Sequence, residues 1–157
     1  MLRVLEAHSV DYVLISGLAA TLHGSPLRTG DADICPATKL QNLQRLAAAL
    51  VEMEAKIRTA DAPGGLSFSC DAEFLQTVEL LNLMTRFGDL DISFRPSGTA
   101  GYEDIQRAAV QYELEGLLVP VASLADIIRS KESADREKDR EALPTLGALL
   151  ERSKESD

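Results

Sequence analysis

The chain has 157 residues, 45% of them hydrophobic, which suits one domain with its own core and is too short for two comfortable ones. Its 25 acidic and 16 basic residues leave a formal net charge of -9, which counts against a broad nucleic-acid-binding footprint but leaves room for a local basic patch. Cys35 and Cys70 form neither a disulfide framework nor a metal-ligand spacing, and read as buried or half-buried thiols in a reducing compartment.

Leu2 to His8 reads as a short first helix, and Tyr12-Val13-Leu14-Ile15 as a buried strand. The apolar stretch from Val10 to Leu22 is interrupted by Asp11 and is too short to span a membrane. With no basic leader before it, the expectation is a cytoplasmic protein with no membrane partner. Gly17 opens a second helix, Leu18 to His23, directly after that strand, and Asp31 to Cys35 reads as a second strand ended by Pro36. Leu40, Leu43, Leu46, Ala47 and Leu50 recur at helical spacing and predict a helix over Leu40 to Met53.

Ala62-Pro63-Gly64-Gly65 reads as a turn or loop. Val78 to Met84 and Leu90 to Phe94 flank Arg86-Phe87-Gly88-Asp89 as a hairpin. A short helix over Tyr102 to Ala109 precedes two brief strands, Val110 to Leu114 and Leu117 to Val121, with Glu115-Gly116 as their turn. Ser123 is a good N-cap for a helix to about Ala134. A last helix over Arg136 to Leu150 is expected to bend or break near Pro144. The order is that of an α/β (α+β) fold with a helical C-terminus, a single domain over residues 1–152, and a frayed polar tail over 153–157.

Asp31 and Asp33 lie two apart on a strand, so their side chains leave the same face. Such a pair repels itself in an apolar setting unless a cation lies between, and magnesium, with its preference for oxygen ligands, fits that place. Asp91 repeats the pattern on the hairpin with Asp89 as its same-face companion, so either is a candidate third carboxylate. A central strand pairing would bring Asp91 beside Asp31 and Asp33, a set able to hold two metals for an in-line phosphoryl displacement. Taken alone, an Asp-x-Asp pair more often marks a solvated strand end, and Gly17 more often a plain turn. The functional form of that turn offers backbone N–H groups to a phosphate.

In order, Ser16-Gly17-Leu18-Ala19, His23-Gly24 and Arg28-Thr29-Gly30-Asp31-Ala32-Asp33 resemble the opening signature of the DNA polymerase β-like nucleotidyltransferases. The pattern is most similar to the AbiEii and MenT group of toxins, with Ser16 standing where the first glycine is usual. Ser130-Lys131 and Arg136-Glu137-Lys138-Asp139 resemble that group's later lysine and Arg-x-x-Asp motifs, so the resemblance spans most of the chain through short motifs. It implies a small nucleotidyltransferase fold, a mixed sheet flanked by helices, that moves a nucleoside monophosphate from an NTP to a hydroxyl and releases pyrophosphate. Magnesium, as two ions, would be held by Asp31, Asp33 and Asp91, with Asp91 also helping to deprotonate the acceptor.

By the same resemblance, Ser16, Gly17, Arg28 and Thr29 would contact the nucleotide. Lys131 would neutralise phosphate charge, Asp139 would orient Lys131 or touch the base, and Arg136 would serve in either role. The acceptor would be a tRNA 3′ end and the partner an antitoxin. The alternatives are transfer to a protein or an aminoglycoside-like small molecule, and a non-catalytic nucleotide-binding or interaction module. Lys131, Arg136, Lys138 and Asp139 also fit an ion-paired, solvated helix face, which is the simpler account of the basic residues from Arg129 to Arg140. His23 reads as a packing or capping residue, and neither it nor His8 is needed for the chemistry.

Overall fold

Short apolar runs separated by glycine and proline punctuation build a mixed sheet, and helical repeats supply its cover. The computed structural model describes residues 1–157. In chain order the elements are α1 (Leu2–Ala7), β1 (Tyr12–Ile15), α2 (Ser16–Leu22), β2 (Asp31–Pro36), α3 (Leu40–Glu52), β3 (Lys56–Thr59), β4 (Ala62–Leu66) and α4 (Ala72–Leu75). They continue with β5 (Leu80–Thr85), β6 (Gly88–Ser93), α5 (Tyr102–Gln106), β7 (Val110–Leu114), β8 (Leu117–Val121), α6 (Leu124–Ala134) and α7 (Glu137–Glu155). No helix is long and apolar enough to cross a membrane.

All eight strands join one sheet in the order β4-β3-β5-β6-β2-β1-β8-β7. Two pairings are parallel, β2 with β6 and β1 with β8, and the others are antiparallel. The alternation along β2 and β6 is sharp. Ile34, Leu90 and Ile92 point into the core and are fully buried, while the aspartates between them face the other way. Leu43, Leu46 and Leu50 of α3 join the same apolar cluster as Leu83, Leu90 and Ile92, so the predicted stripe packs except at its first residue, Leu40, which is exposed at the start of the helix. On the aspartate side, α2 packs on β1 and β2, α6 on α2, and α7 on α6.

Three expectations are corrected. Ala62-Pro63-Gly64-Gly65 is not a loop but most of β4, an edge strand paired only to β3. An edge position tolerates a proline that cannot donate to the ladder. Gly65, at φ 80°, occurs where a Cβ would come within 2.7 Å of Lys56 Cβ and 2.8 Å of Met84 Sδ. The second correction concerns α7, which runs unbroken through Pro144. Buried Ala142 and Leu146 anchor it on both sides, which offsets the backbone hydrogen bond that proline forfeits. The third is the tail: α7 continues to Glu155, so only the last two residues of 153–157 lie beyond the helix.

Leu90 is 0% exposed and sits between Ala32 of β2 and Leu83 of β5. Leu90→Ala is expected to cost about 2–5 kcal/mol, because the flanking strands cannot close the cavity. Equilibrium urea unfolding of the two proteins measures that difference.

Candidate active site

The register of one strand pair builds the floor of the site. In the parallel β2–β6 ladder, Asp31 lies opposite Asp89 and Asp33 opposite Asp91. Residues in register on neighbouring strands share a face, so four carboxylates stand together. A cleft of about 950 Å³ takes in Asp31, Asp33 and Asp91, whereas Asp89 borders an adjoining cleft of about 710 Å³ that Asp31 also lines. Asp91 is therefore the carboxylate that faces the same space as Asp31 and Asp33.

The cost of this crowding appears in the protonation equilibria. Burial, then the charges of Asp91 and Asp31, pushes the Asp33 pKa up to about 6, against smaller opposing pulls from Lys138 and Lys131. Burial also raises Asp91, and the Arg58 guanidinium only partly offsets it; Asp31 adds to the rise through its charge and a hydrogen bond that favours the protonated form. No three His, Cys, Asp or Glu side chains close into a ready-made metal cage. The donor set nonetheless fits magnesium in kind, being all oxygen and unfavourably charged without a cation.

The other predicted residues line the same cleft. Ser16, Gly17, Arg28, Thr29, Lys131, Arg136 and Asp139 all border it, drawn from α2, the loop before β2, α6 and the start of α7. At the turn from β1 into α2, Ser16 adopts φ 62°, the left-handed region, where the resemblance expects glycine. Gly17 is needed for a different reason, close approach. A Cβ there would lie 3.0 Å from Thr29 Cβ and 3.1 Å from Thr29 Oγ1, so the bare Cα lets the Thr29 loop fold against the start of the helix.

Opposite that turn, Asp139 is 0% exposed and holds two cations. Arg136 Nε donates to Asp139 Oδ2 at 2.7 Å, and Lys131 Nζ approaches Oδ1 at 3.4 Å with its side chain 15% exposed. The Arg136 backbone N–H also donates to Oδ2 at 3.2 Å, which caps α7. Burial works to raise the Asp139 pKa, but the Arg136 hydrogen bonds and the charges of Arg136 and Lys131 prevail and hold it below the ordinary value. A tight link at left-handed Asp135, between α6 and α7, brings Lys131 and Asp139 together. Of the other cations in that stretch, Arg129 pairs with Asp104 and Asp126 and Arg140 with Asp135, while Lys138 makes no ion pair and borders the cleft.

Arg58 was not among the residues singled out from sequence. It projects from β3, a strand that offers a single apolar residue, Ile57, and so no apolar run, and its Nη2 donates to Asp91 Oδ1 at 2.7 Å. His23 is a packing residue. Its Nε2 lies 2.8 Å from the Ala122 carbonyl, which can only accept, and its Nδ1 lies 3.0 Å from the Tyr112 hydroxyl. Cys35 is buried and Cys70 half-buried, both free thiols.

No protein-family model matches the sequence, and no curated protein matches it. Solved structures do. The lincosamide antibiotic adenylyltransferase LnuA, in its lincomycin-bound form, superposes with a TM-score of 0.61 at 19% identity over 94% of this chain and 92% of that one. The Thermotoga maritima protein TM1012, assigned as a nucleotidyltransferase, gives 0.53 at 19% identity over 91% and 89%. The chain has the nucleotidyltransferase fold. Both superpositions cover nearly the whole of each chain, so the likeness extends from the aspartate strands to the C-terminal helix pair.

Two outcomes follow from the site's electrostatics. The Asp33 pKa is higher folded than unfolded, so the stability it contributes is present below its ordinary pKa of 3.8 and is lost as pH rises through about 6. Metal-free Asp33→Asn should therefore melt above the parent at pH 7.5, by at most about 3 kcal/mol of stability, and the gap should close toward pH 4. Differential scanning calorimetry across that range reads it directly. Asp139→Ala is expected to cost about 3 kcal/mol in denaturant unfolding at neutral pH, since it strands Lys131 and removes the cap of α7.

Proposed function

We propose that this protein is a magnesium-dependent nucleotidyltransferase that moves a nucleoside monophosphate from an NTP to a hydroxyl of a small molecule. The observation that carries the reading is the β2–β6 register, which sets Asp33 against Asp91 and brings both, with Asp31, to a cleft that also receives Ser16, Gly17 and Lys131. Asp31, Asp33 and Asp91 would hold the metal, which when bound would supply charge neutralisation for the triphosphate and the departing pyrophosphate.

The chain's own groups do the remaining work. Ser16, Gly17 and Thr29 cradle the triphosphate at the β1–α2 turn. Lys131, fixed by buried Asp139, presents an ammonium to the phosphates, with Arg28 and Arg136 at the cleft wall. The acceptor oxygen attacks the α-phosphorus in line, a new P–O bond forms, and the bond to the bridging oxygen breaks to release pyrophosphate. The hydroxyl proton passes to the Asp91 carboxylate, which borders the same cleft.

A small-molecule acceptor is favoured by the near-complete superposition on LnuA, an enzyme described as acting on a lincosamide antibiotic, and by the net charge of -9. Transfer to a tRNA 3′ end, as in the toxin group with an antitoxin partner, is the second reading. It rests on the order of the motifs from Ser16 to Asp33 and from Lys131 to Asp139.

Incubation with magnesium, each labelled NTP, and either a panel of hydroxyl-bearing small molecules or total tRNA tests both. Label on a small molecule supports the first reading and label on tRNA the second. Asp31→Ala, Asp33→Ala and Asp91→Ala should each lower transfer about a thousandfold or more. Transfer that survives all three substitutions would refute the catalytic assignment.

A further inference from the structure

Arg58 occupies an unusual place. It reaches from β3 across the whole of β5 to strand β6. Lys56 and Ile57 pair with Met84 and Leu83 of β5, and Asn82 of β5 pairs with Asp91 of β6. Continuing that register sets Arg58, Asn82, Asp91 and Asp33 in one row across four adjacent strands, all bordering the large cleft. Strands lie about 4.8 Å apart, so only a long side chain spans the gap from β3 to Asp91.

The guanidinium makes three contacts at the end of that reach. Nη1 donates to the Leu83 carbonyl at 3.0 Å, which fixes the plane of the group. Nη2 donates to Asp91 Oδ1 at 2.7 Å, and Nη1 lies 3.4 Å from Asp89 Oδ2. Arg58 is the cation that bridges Asp89 and Asp91, and Lys138 and Lys131 are the cations whose charge acts on Asp33. A hydrogen bond of 2.7 Å engages one Asp91 oxygen, so a divalent ion that needs that oxygen must displace the donor or accept a poorer ligand.

We infer that Arg58 is a resident counter-ion of the carboxylate site, holding Asp91 when no metal is bound and competing with the divalent ion for it. This rests on the proposed assignment of Asp31, Asp33 and Asp91 as metal ligands. Arg58 is a positioning residue in this role: it holds Asp91 from the β5 side, opposite Asp33, and sets the concentration at which metal enters. Its fixed charge also distinguishes it from Lys131, which is committed to Asp139.

Direct titration with Mn²⁺, with the free ion counted by electron paramagnetic resonance and no nucleotide present, tests the inference. Arg58→Gln and Arg58→Met each leave the aspartates without their internal cation and should bind Mn²⁺ about tenfold more tightly than the parent. Arg58→Lys keeps the charge and should stay near the parent value, a result a purely structural arginine would not give. Adding Asp91→Asn to Arg58→Gln should abolish the gain. In the metal-free state Arg58→Gln should also melt below the parent, with saturating Mn²⁺ narrowing the difference.

Equal or weaker Mn²⁺ binding by both Arg58→Gln and Arg58→Met overturns the inference, including the case in which no variant binds the ion. Failure here is separable from failure of the proposed reaction. Label transfer by the parent with no gain in the variants sinks the counter-ion role alone. Tighter Mn²⁺ binding in the variants without any transfer by the parent keeps that role and removes the reaction.

Discussion

The parallel pairing of β2 with β6 is the constraint around which the rest of the molecule is arranged. It places four aspartates side by side on one face of the sheet while the alternate residues, Ile34, Leu90 and Ile92, form the buried floor of the core behind them. A slip of β6 by one residue would send Asp89 and Asp91 into the core and Leu90 and Ile92 into the cleft. The hydrophobic face therefore fixes the position of the charged one. Burial and then the like charges of Asp91 and Asp31 raise the pKa of Asp33, so the cluster is costly to hold ionised.

Two compensating devices surround the cluster, and they differ in kind. On one side, Arg58 reaches the aspartates directly and partly offsets the charge of Asp89 and Asp91. On the other, Asp139 is fully buried and draws Lys131 and Arg136 to itself, so those cations stand at the cleft wall instead of collapsing onto the carboxylates. A buried carboxylate bonded by two cations and by a helix-capping backbone N–H is rigid, and a rigid mount for an ammonium suits phosphate binding. The arrangement keeps positive charge near the negative floor without letting the two annihilate, at the expense of stability that a plain apolar cleft would not forgo.

The turn at the start of α2 shows how sequence constraints can be met in an unexpected way. Gly17 spares a tight contact, since a Cβ there would lie 3.0 Å from Thr29 Cβ, and Ser16 accepts the left-handed backbone that glycine would adopt more cheaply. Strain of that sort gathers where backbone must approach a ligand. The likeness to LnuA and TM1012 is one of fold at 19% identity, so the reaction proposed for the cleft rests on the residues within it.

Much of the fold was legible from the sequence because it follows from local patterns. Strand β1, the stripe of α3, the β5–β6 and β7–β8 hairpins and the Ser123 cap each announce themselves within a few residues. Asp31, Asp33 and Asp91, with Lys131 and Asp139, were visible because motif order and two-residue spacing carry them. Strands β3 and β4 were not. Pro63 and the two glycines are turn signals in isolation, and only an edge position in the sheet makes them a strand. Hidden with β3 was Arg58, whose partners lie 31 and 33 residues away. The sequence by itself determined which residues carry charge and on which face of a strand they stand, since side-chain alternation is a local rule. Only the tertiary structure decided which strands become neighbours. That choice put Asp91 rather than Asp89 in the cleft with Asp31 and Asp33 and set Arg58 against it, because pairing over long separations is settled by burial of the whole core.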